Sequence, residues 1–249
     1  MARKRHLTRS PLVEAVVDIQ VDTLATFSEH QRAALGDIAR GRGFSTPEPQ
    51  YRLTGSFDFG SQAPSASLVQ DSDVFRYVMR SAENDVVVQF RRNGFTLSRL
   101  HGYRSWEEHI AYAKEFWTLY ASWARPERIV RIAVRYINHL DLPDGGLVLE
   151  EYLTHPPCTP AGMPREIVRF LSSTHTIDRE LDVQVHLVQA TRDAFDTERP
   201  VIVLDLDVYK IVNLGADEAD MWTQFGTLHE LKDATFFGSI TEKTAEMLE

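Results

Sequence analysis

A chain of 249 residues with 43% hydrophobic and 25% charged content can build one large domain or two small ones around a buried core, and its balance is that of an ordinary soluble globular protein. No stretch approaches the roughly 20 apolar residues of a membrane-spanning helix. The opening Met-Ala-Arg-Lys-Arg-His lacks the apolar segment of a secretory leader, so the expected address is the cytoplasm, with no membrane partner. One cysteine, Cys158, excludes an internal disulfide or a multi-cysteine metal cluster.

The net charge of −9 is uneven. Residues 1–125 hold 16 Lys and Arg against 14 Asp and Glu, giving +2; residues 126–249 hold 11 against 22, giving −11, and the two sums return −9. Nucleic-acid binding leaves a basic footprint, which the second half lacks. The short basic arm Arg3, Lys4, Arg5 and Arg9 is expected to be a solvated terminus.

In chain order, Ser10-Pro11 opens a strand over 12–22, with Val13, Ala15, Val17, Ile19 and Val21 on one face and Glu14, Asp18, Gln20 and Asp22 on the other. Ser28 and Gln31 have capping-box spacing for a helix that Gly41 and Gly43 end. Strands at 50–59, 67–71, 73–81 and 85–100 follow as an antiparallel meander. A loop at Gly60–Ser65 and a turn at Ala82–Asp85 punctuate it, and Asn93-Gly94 splits the last segment. A helix from Ser105 to Ala124, with Glu108 completing a second capping box, carries apolar residues over half its circumference. That arc is wider than one sheet face requires, so either a second layer of the chain or another chain covers it. On the second possibility Trp106, Tyr112, Phe116 and Trp123 are candidate interface residues.

The clearest strand spans 128–143. Val130, Ile132, Val134, Tyr136 and Leu140 share one face; Arg131, Arg135, His139 and Asp141 share the other. Asp144-Gly145-Gly146 turns the chain into a short helix near 149–153, and a proline-rich loop follows over 155–164. Pro164 is placed to start another short helix through Leu171. Strands at 176–191 and 200–212 come next, then a long helix capped by Asp217, and Phe236, Phe237 and Ile240 pack before a charged tail. The expectation is an α+β fold: one domain, 1–249, with a mostly antiparallel sheet backed by long helices. Element order suggests two fused β-α-β(n)-α halves, 11–125 and 126–249, with Trp106 and Trp222 near the starts of the two long helices.

Several segments resemble a sporadically distributed, uncharacterised prokaryotic protein family of about 250 residues. They are Ser10-Pro11-Leu12-Val13-Glu14-Ala15, Tyr103-x-x-Trp106, Arg131-x-x-x-Arg135-Tyr136-Ile137-Asn138, Leu204-Asp205-Leu206-Asp207, Leu228-His229 and Phe236-Phe237-Gly238-Ser239-Ile240-Thr241. The family has no established activity. Its scattered distribution resembles that of mobile or defence-associated genes, which implies a context and not a chemistry.

Arg131 and Arg135 lie about 13 Å apart at strand rise, with His139 beyond them, and Asp205 and Asp207 share a face of another strand. If these faces coincide, arginine–carboxylate pairs form across the sheet, with Glu14 as a further acidic neighbour. Two readings stay open: an ion-pair ladder that fixes register, or a groove for an anionic ligand or an acidic segment, which needs an arginine left unpaired. Asp205-x-Asp207 with Glu14 or Asp18 could attract a divalent cation, but the arginines compete, so no metal or cofactor is assigned. Cys158 has no histidine at a spacing that predicts a base. The phosphate-loop, dinucleotide, nucleophile-elbow and zinc-protease motifs are missing. Glu107, Glu108 and Glu115 among the aromatics of 106–123 disfavour base stacking. The expected function is a non-catalytic interaction or regulatory protein, acting with a protein partner or as a homodimer beside a neighbouring effector. The alternative is a nucleic-acid or nucleotide binder that uses the arginine-lined face; catalytic residues are not assigned.

Overall fold

The computed structural model describes residues 1–22, 27–58, 65–143, 148–164, 166–192, 200–215 and 218–249. The expected Asp217 cap, the Asp144–Gly146 turn and most of the Gly60–Ser65 loop lie outside them. Strand β1 (Leu12–Val21) is followed by α1 (Glu29–Gly41), β2 (Glu48–Asp58), β3 (Ser65–Arg80), β4 (Val86–Arg91), β5 (Gly94–Arg99) and α2 (Trp106–Ala124). Then come β6 (Ile129–Asp141), a 3-10 turn at Leu149–Glu151, β7 (Leu171–Asp178), β8 (Val183–Thr191), β9 (Val201–Leu214), α3 (Glu218–Ser239) and α4 (Glu242–Met247). The nine strands form one antiparallel sheet in the order β2-β3-β4-β5-β1-β6-β9-β8-β7. The fold class is therefore α+β, and strands drawn from before and after α2 meet where β1 pairs with β6.

Alternation sets the two faces. Ala15, Val17 and Ile19 lie opposite Tyr136, Val134 and Ile132. All six are buried with Phe95 and Leu97 of β5, Phe116, Trp117 and Tyr120 of α2, and Met221, Phe225 and Leu228 of α3. Burying this many large apolar side chains, at about 1.5–3 kcal/mol each, is the main stabilising term. A second cluster joins Leu140, Ile202, Leu204 and Leu206 to Tyr152, Leu153, Phe236, Phe237 and Ile240.

Ser28 and Gln31 form the expected capping box. At α2 the Ser105 hydroxyl accepts from the Glu108 N–H at 3.2 Å, while the Glu108 carboxylate faces Arg99 at 3.8 Å.

Four elements differ from the sequence expectation. Segments 67–71 and 73–81 are one long strand, β3, whose pairing with β2 shifts register twice near Tyr51. The expected helix from Pro164 to Leu171 is absent among its described residues, and Leu171 starts β7 instead. Segment 176–191 is not one strand: β7 and β8 form a hairpin whose turn holds Asp182 at φ 54°, with the Asp178 carboxylate accepting from the N–H groups of Glu180 and Leu181. Such Asx turns reverse a chain without glycine or proline. The charged tail is helical: Thr241 caps α4 and Ala245 is fully buried.

Candidate functional site: the charged face of the central strands

Strands β1, β6 and β9 turn their polar residues to the face opposite the aromatic core. Arg135 sits opposite Asp207, Ile137 opposite Asp205, and Gln20 opposite Arg131. The guanidinium of Arg131 bridges two carboxylates, donating to Asp18 Oδ1 at 3.2 Å and Asp207 Oδ2 at 2.9 Å. It also lies 4.3 Å from the Tyr209 ring centroid. Asp18 in turn accepts from Arg91 at 2.6 Å and from the Thr96 hydroxyl at 2.8 Å. Arg135 holds Asp205 with both arms of its fork, Nε to Oδ1 at 2.8 Å and Nη2 to Oδ2 at 2.5 Å. The residues expected to meet do meet, joined by Asp18 and Arg91.

Burial and charge pull this network in different directions. The Asp18 and Arg131 side chains are 14% and 18% exposed, while Arg135 is 50% exposed. Burial raises the Asp207 carboxyl above its usual range, against the lowering effect of Arg131 and Arg135. Hydrogen bonding to Asp205 strengthens the charged form of Arg135, and Glu14 adds to the attraction from β1. Both central arginines are thus occupied by carboxylates of the chain itself. Asp205 and Asp207 have committed oxygens to these donors, which competes with metal coordination. Arg76 continues the face on β3, donating to Gln50 at 2.7 Å and Gln89 at 2.8 Å.

His139 stands apart from the ladder. Its backbone N–H donates to Pro11 O at 2.8 Å, and its ring lines a cleft of about 580 Å³ with Arg9, Asp141, Met247 and Leu248. Burial, aided by Arg192, lowers its imidazole below the usual range.

The aromatic residues offered as an interface are used inside the chain. Phe116 is 1% and Trp123 8% exposed. Phe116 meets Phe44 at 5.2 Å between ring centroids. Trp123 donates its indole N–H to Gln31 O at 3.0 Å, and the Gln31 amide donates back to Trp123 O at 2.9 Å. Tyr112 packs on Phe116 at 5.1 Å, and Trp106 stacks on His229 at 4.3 Å with the ring planes 4° apart. α1, Phe44 and α3 supply the second layer that the wide apolar arc needs.

A buried polar cluster that sequence reasoning missed lies on the other side of β6. Tyr136 and Tyr103 share a hydrogen bond at 3.0 Å. The Lys232 ammonium sits 3.8 Å from the Tyr136 ring centroid and pairs with Asp233, which Lys4 reaches at 2.8 Å. His109 is 1% exposed, and neither ring nitrogen has a hydrogen-bond partner among the described residues. Burial pushes its imidazole down to about 3, helped by Arg99, His229 and Lys232. His229 is pushed down to about 4, again mainly by burial. Tyr103 is pushed up to about 12 by burial. The signal was periodicity: His109 leads Ala113 and Phe116, and Lys232 follows Leu228 and Phe225, at the four- and seven-residue steps of one helix face.

No protein-family model matches the chain, and no curated protein matches it. Among solved structures, the S. pombe Pct1 RNA triphosphatase in complex with the Spt5 CTD is similar at 8% identity, over 98% of this chain and 84% of that one, with a TM-score of 0.13. A score that low carries no argument about fold or activity.

Proposed function

We propose that this chain is a non-catalytic interaction or regulatory module that works through contact with a protein partner or a second copy of itself. The observation that supports the reading is the asymmetry of the sheet's two edges. Edge strand β2 carries Pro49, the charges of Glu48 and Arg52, and two register shifts, all features that discourage further pairing. Edge strand β7 reads Leu-Ser-Ser-Thr-His-Thr-Ile-Asp, pairs with β8 without a register shift, and is exposed at six of its eight positions. A regular, nearly uncharged edge is a template for strand addition.

The sequence resemblance, a cytoplasmic address and a place beside a mobile or defence-type effector belong to this same proposal. So does an origin in two fused halves, supported by the contiguity of β1–β5 and of β6–β9 in the sheet. Purified chain mixed with the products of adjacent genes, followed by light scattering, tests the module reading. Co-elution supports it, and a chain that ignores every neighbour and itself sinks it.

Arg76, held by Gln50 and Gln89 and by no carboxylate among the described residues, favours a second reading, a nucleotide or nucleic-acid binder on the charged face. A salt titration of binding decides it, because phosphate contacts give a steep slope and their lack gives a flat one.

A further inference from the structure

We infer that β7 pairs with β7 of a second copy across a twofold axis through Thr174, extending the antiparallel sheet from one chain into the other. This rests on the module reading and names its partner. Among the described residues no strand pairs with the outer side of β7. The strand lacks lysine, proline and a bulge, and its one charge, Asp178, is its last residue.

Symmetry then selects the register. An antiparallel twofold pair puts residue i opposite residue j with a constant sum, and the pleat requires paired residues to share a face, so the sum is even. A sum of 348 places Leu171 opposite Ile177, Ser172 opposite Thr176, Ser173 opposite His175, and Thr174 opposite itself. Leu171 and Ile177 are 75% and 47% exposed, among the most exposed large apolar side chains of the chain, and this register covers both, twice over. It also leaves Asp178 outside the seven paired residues. A sum of 350 would instead set His175 against His175 and Asp178 against Ser172. A sum of 346 would leave Ile177 unpaired by any residue of the partner strand. Only 348 uses both apolar ends without facing like ionisable groups.

The second copy is the occupant that the strand's own sequence favours, because Leu171 and Ile177 lie three residues to either side of Thr174 and so meet each other under a twofold. The half of the chain that holds β7 carries −11, which repels a second copy almost anywhere except along an uncharged strand. Hydroxyl and imidazole side chains line the seam, where cross-strand Ser and Thr pairs are compatible with one another. On the exposed face of β7, Ser173 bonds His186 at 2.8 Å and His175 bonds Tyr209 at 3.0 Å. Those bonds hold the strand's side chains toward its own sheet and leave the backbone edge clear.

The test uses full-length chain carrying Cys158→Ser, since Cys158 is exposed, with single cysteines at positions 174, 175 or 176. At the twofold, Thr174→Cys brings two sulfur-bearing residues within the roughly 4.5–5.5 Å Cα separation of a paired position. Thr176→Cys separates them by about four residues of strand, near 14 Å. The expected result is a covalent dimer on mild oxidation for Thr174→Cys alone, with Ile177→Lys abolishing dimerisation of the uncrosslinked chain while its unfolding midpoint matches that of the parent diluted until it is monomeric. Selective crosslinking at 175 or 176, or a monomer at every concentration, overturns the proposal. A monomer that still binds a neighbouring gene product overturns the self-pairing and leaves the module reading standing.

Discussion

Replacing His109 by Leu should remove a defined part of the protein's acid sensitivity. The imidazole is 1% exposed among Tyr103, Arg99, His229 and Lys232, and is pushed down from 6.5 to about 3. The unfolded chain therefore takes up a proton near pH 6.5 that the folded chain refuses until about pH 3. Between those values the unfolded state holds more protons, so stability falls as the pH falls, by about 1.4 kcal/mol per pH unit from this one group. The accumulated loss is about 2 kcal/mol at pH 5 and reaches at most about 5 kcal/mol near pH 3. His229 acts in the same sense, while the raised Asp207 carboxyl acts in the opposite sense, taking its proton in the folded state first. The difference between parent and variant isolates His109 from both. Urea unfolding followed by circular dichroism, repeated from pH 7.5 to pH 4.5, measures it. At pH 7 the variant should match or exceed the parent, because an unpaired buried polar group costs roughly 1–3 kcal/mol. Below pH 6.5 its advantage should widen by the increments above. A parent–variant difference that stays constant across this range would refute the claim that burial holds this ring neutral.

Asp18→Asn should destabilise by about 2–4 kcal/mol in the same assay, since it strips a shared partner from Arg91 and Arg131, both under 20% exposed. Arg135→Ala, by contrast, removes a half-exposed group and should shift stability by less than about 1 kcal/mol. Gly94 has φ +153° and its added Cβ would run into the Ile19 carbonyl oxygen, so Gly94→Ala should lower the thermal midpoint sharply, by an amount typical of more than about 3 kcal/mol. Trp117→Ala, which empties a 1% exposed site beside Phe95 and Tyr120, should cost about 3–5 kcal/mol.

What the sequence made legible was what alternation alone can encode. From Arg131 onward strand β6 could be read with both faces assigned, because its arginines and its branched apolar residues keep period two, and the carboxylates of β9 follow the same rule; at its start a register shift puts Ile129 in the core where Val130 was expected. Capping chemistry gave Ser28 and Ser105 for the same local reason. The β7–β8 turn was hidden because Asp178 and Asp182 do the work usually signalled by glycine or proline, so a hairpin looked like one long strand. Helix α4 was hidden by its charges, since of its six residues Thr244 and Ala245 are the buried ones and Met247 is only partly buried against the core. Which element covers the aromatic arc of α2 depends on how α1 returns across the sheet, and that is a tertiary fact without a local signature. His109 and Lys232 were passed over because polar residues are expected outside, although their helical spacing put them inside.

The placement of β1 bears on how the chain is made. Val16 pairs with Arg135, so β1 must wait for 119 further residues to be added before its edge toward β6 is closed. At 5–20 residues per second that interval is roughly 6–24 s. During it β1 can be held on one side only, by β5, with Asp18 within reach of Arg91 of β4 but still awaiting its second guanidinium, Arg131 of β6. Arrested or truncated translation products ending before β6 would therefore present a bare central seam, which makes nascent-chain aggregation, more than loss of the finished fold, the vulnerability built into this topology.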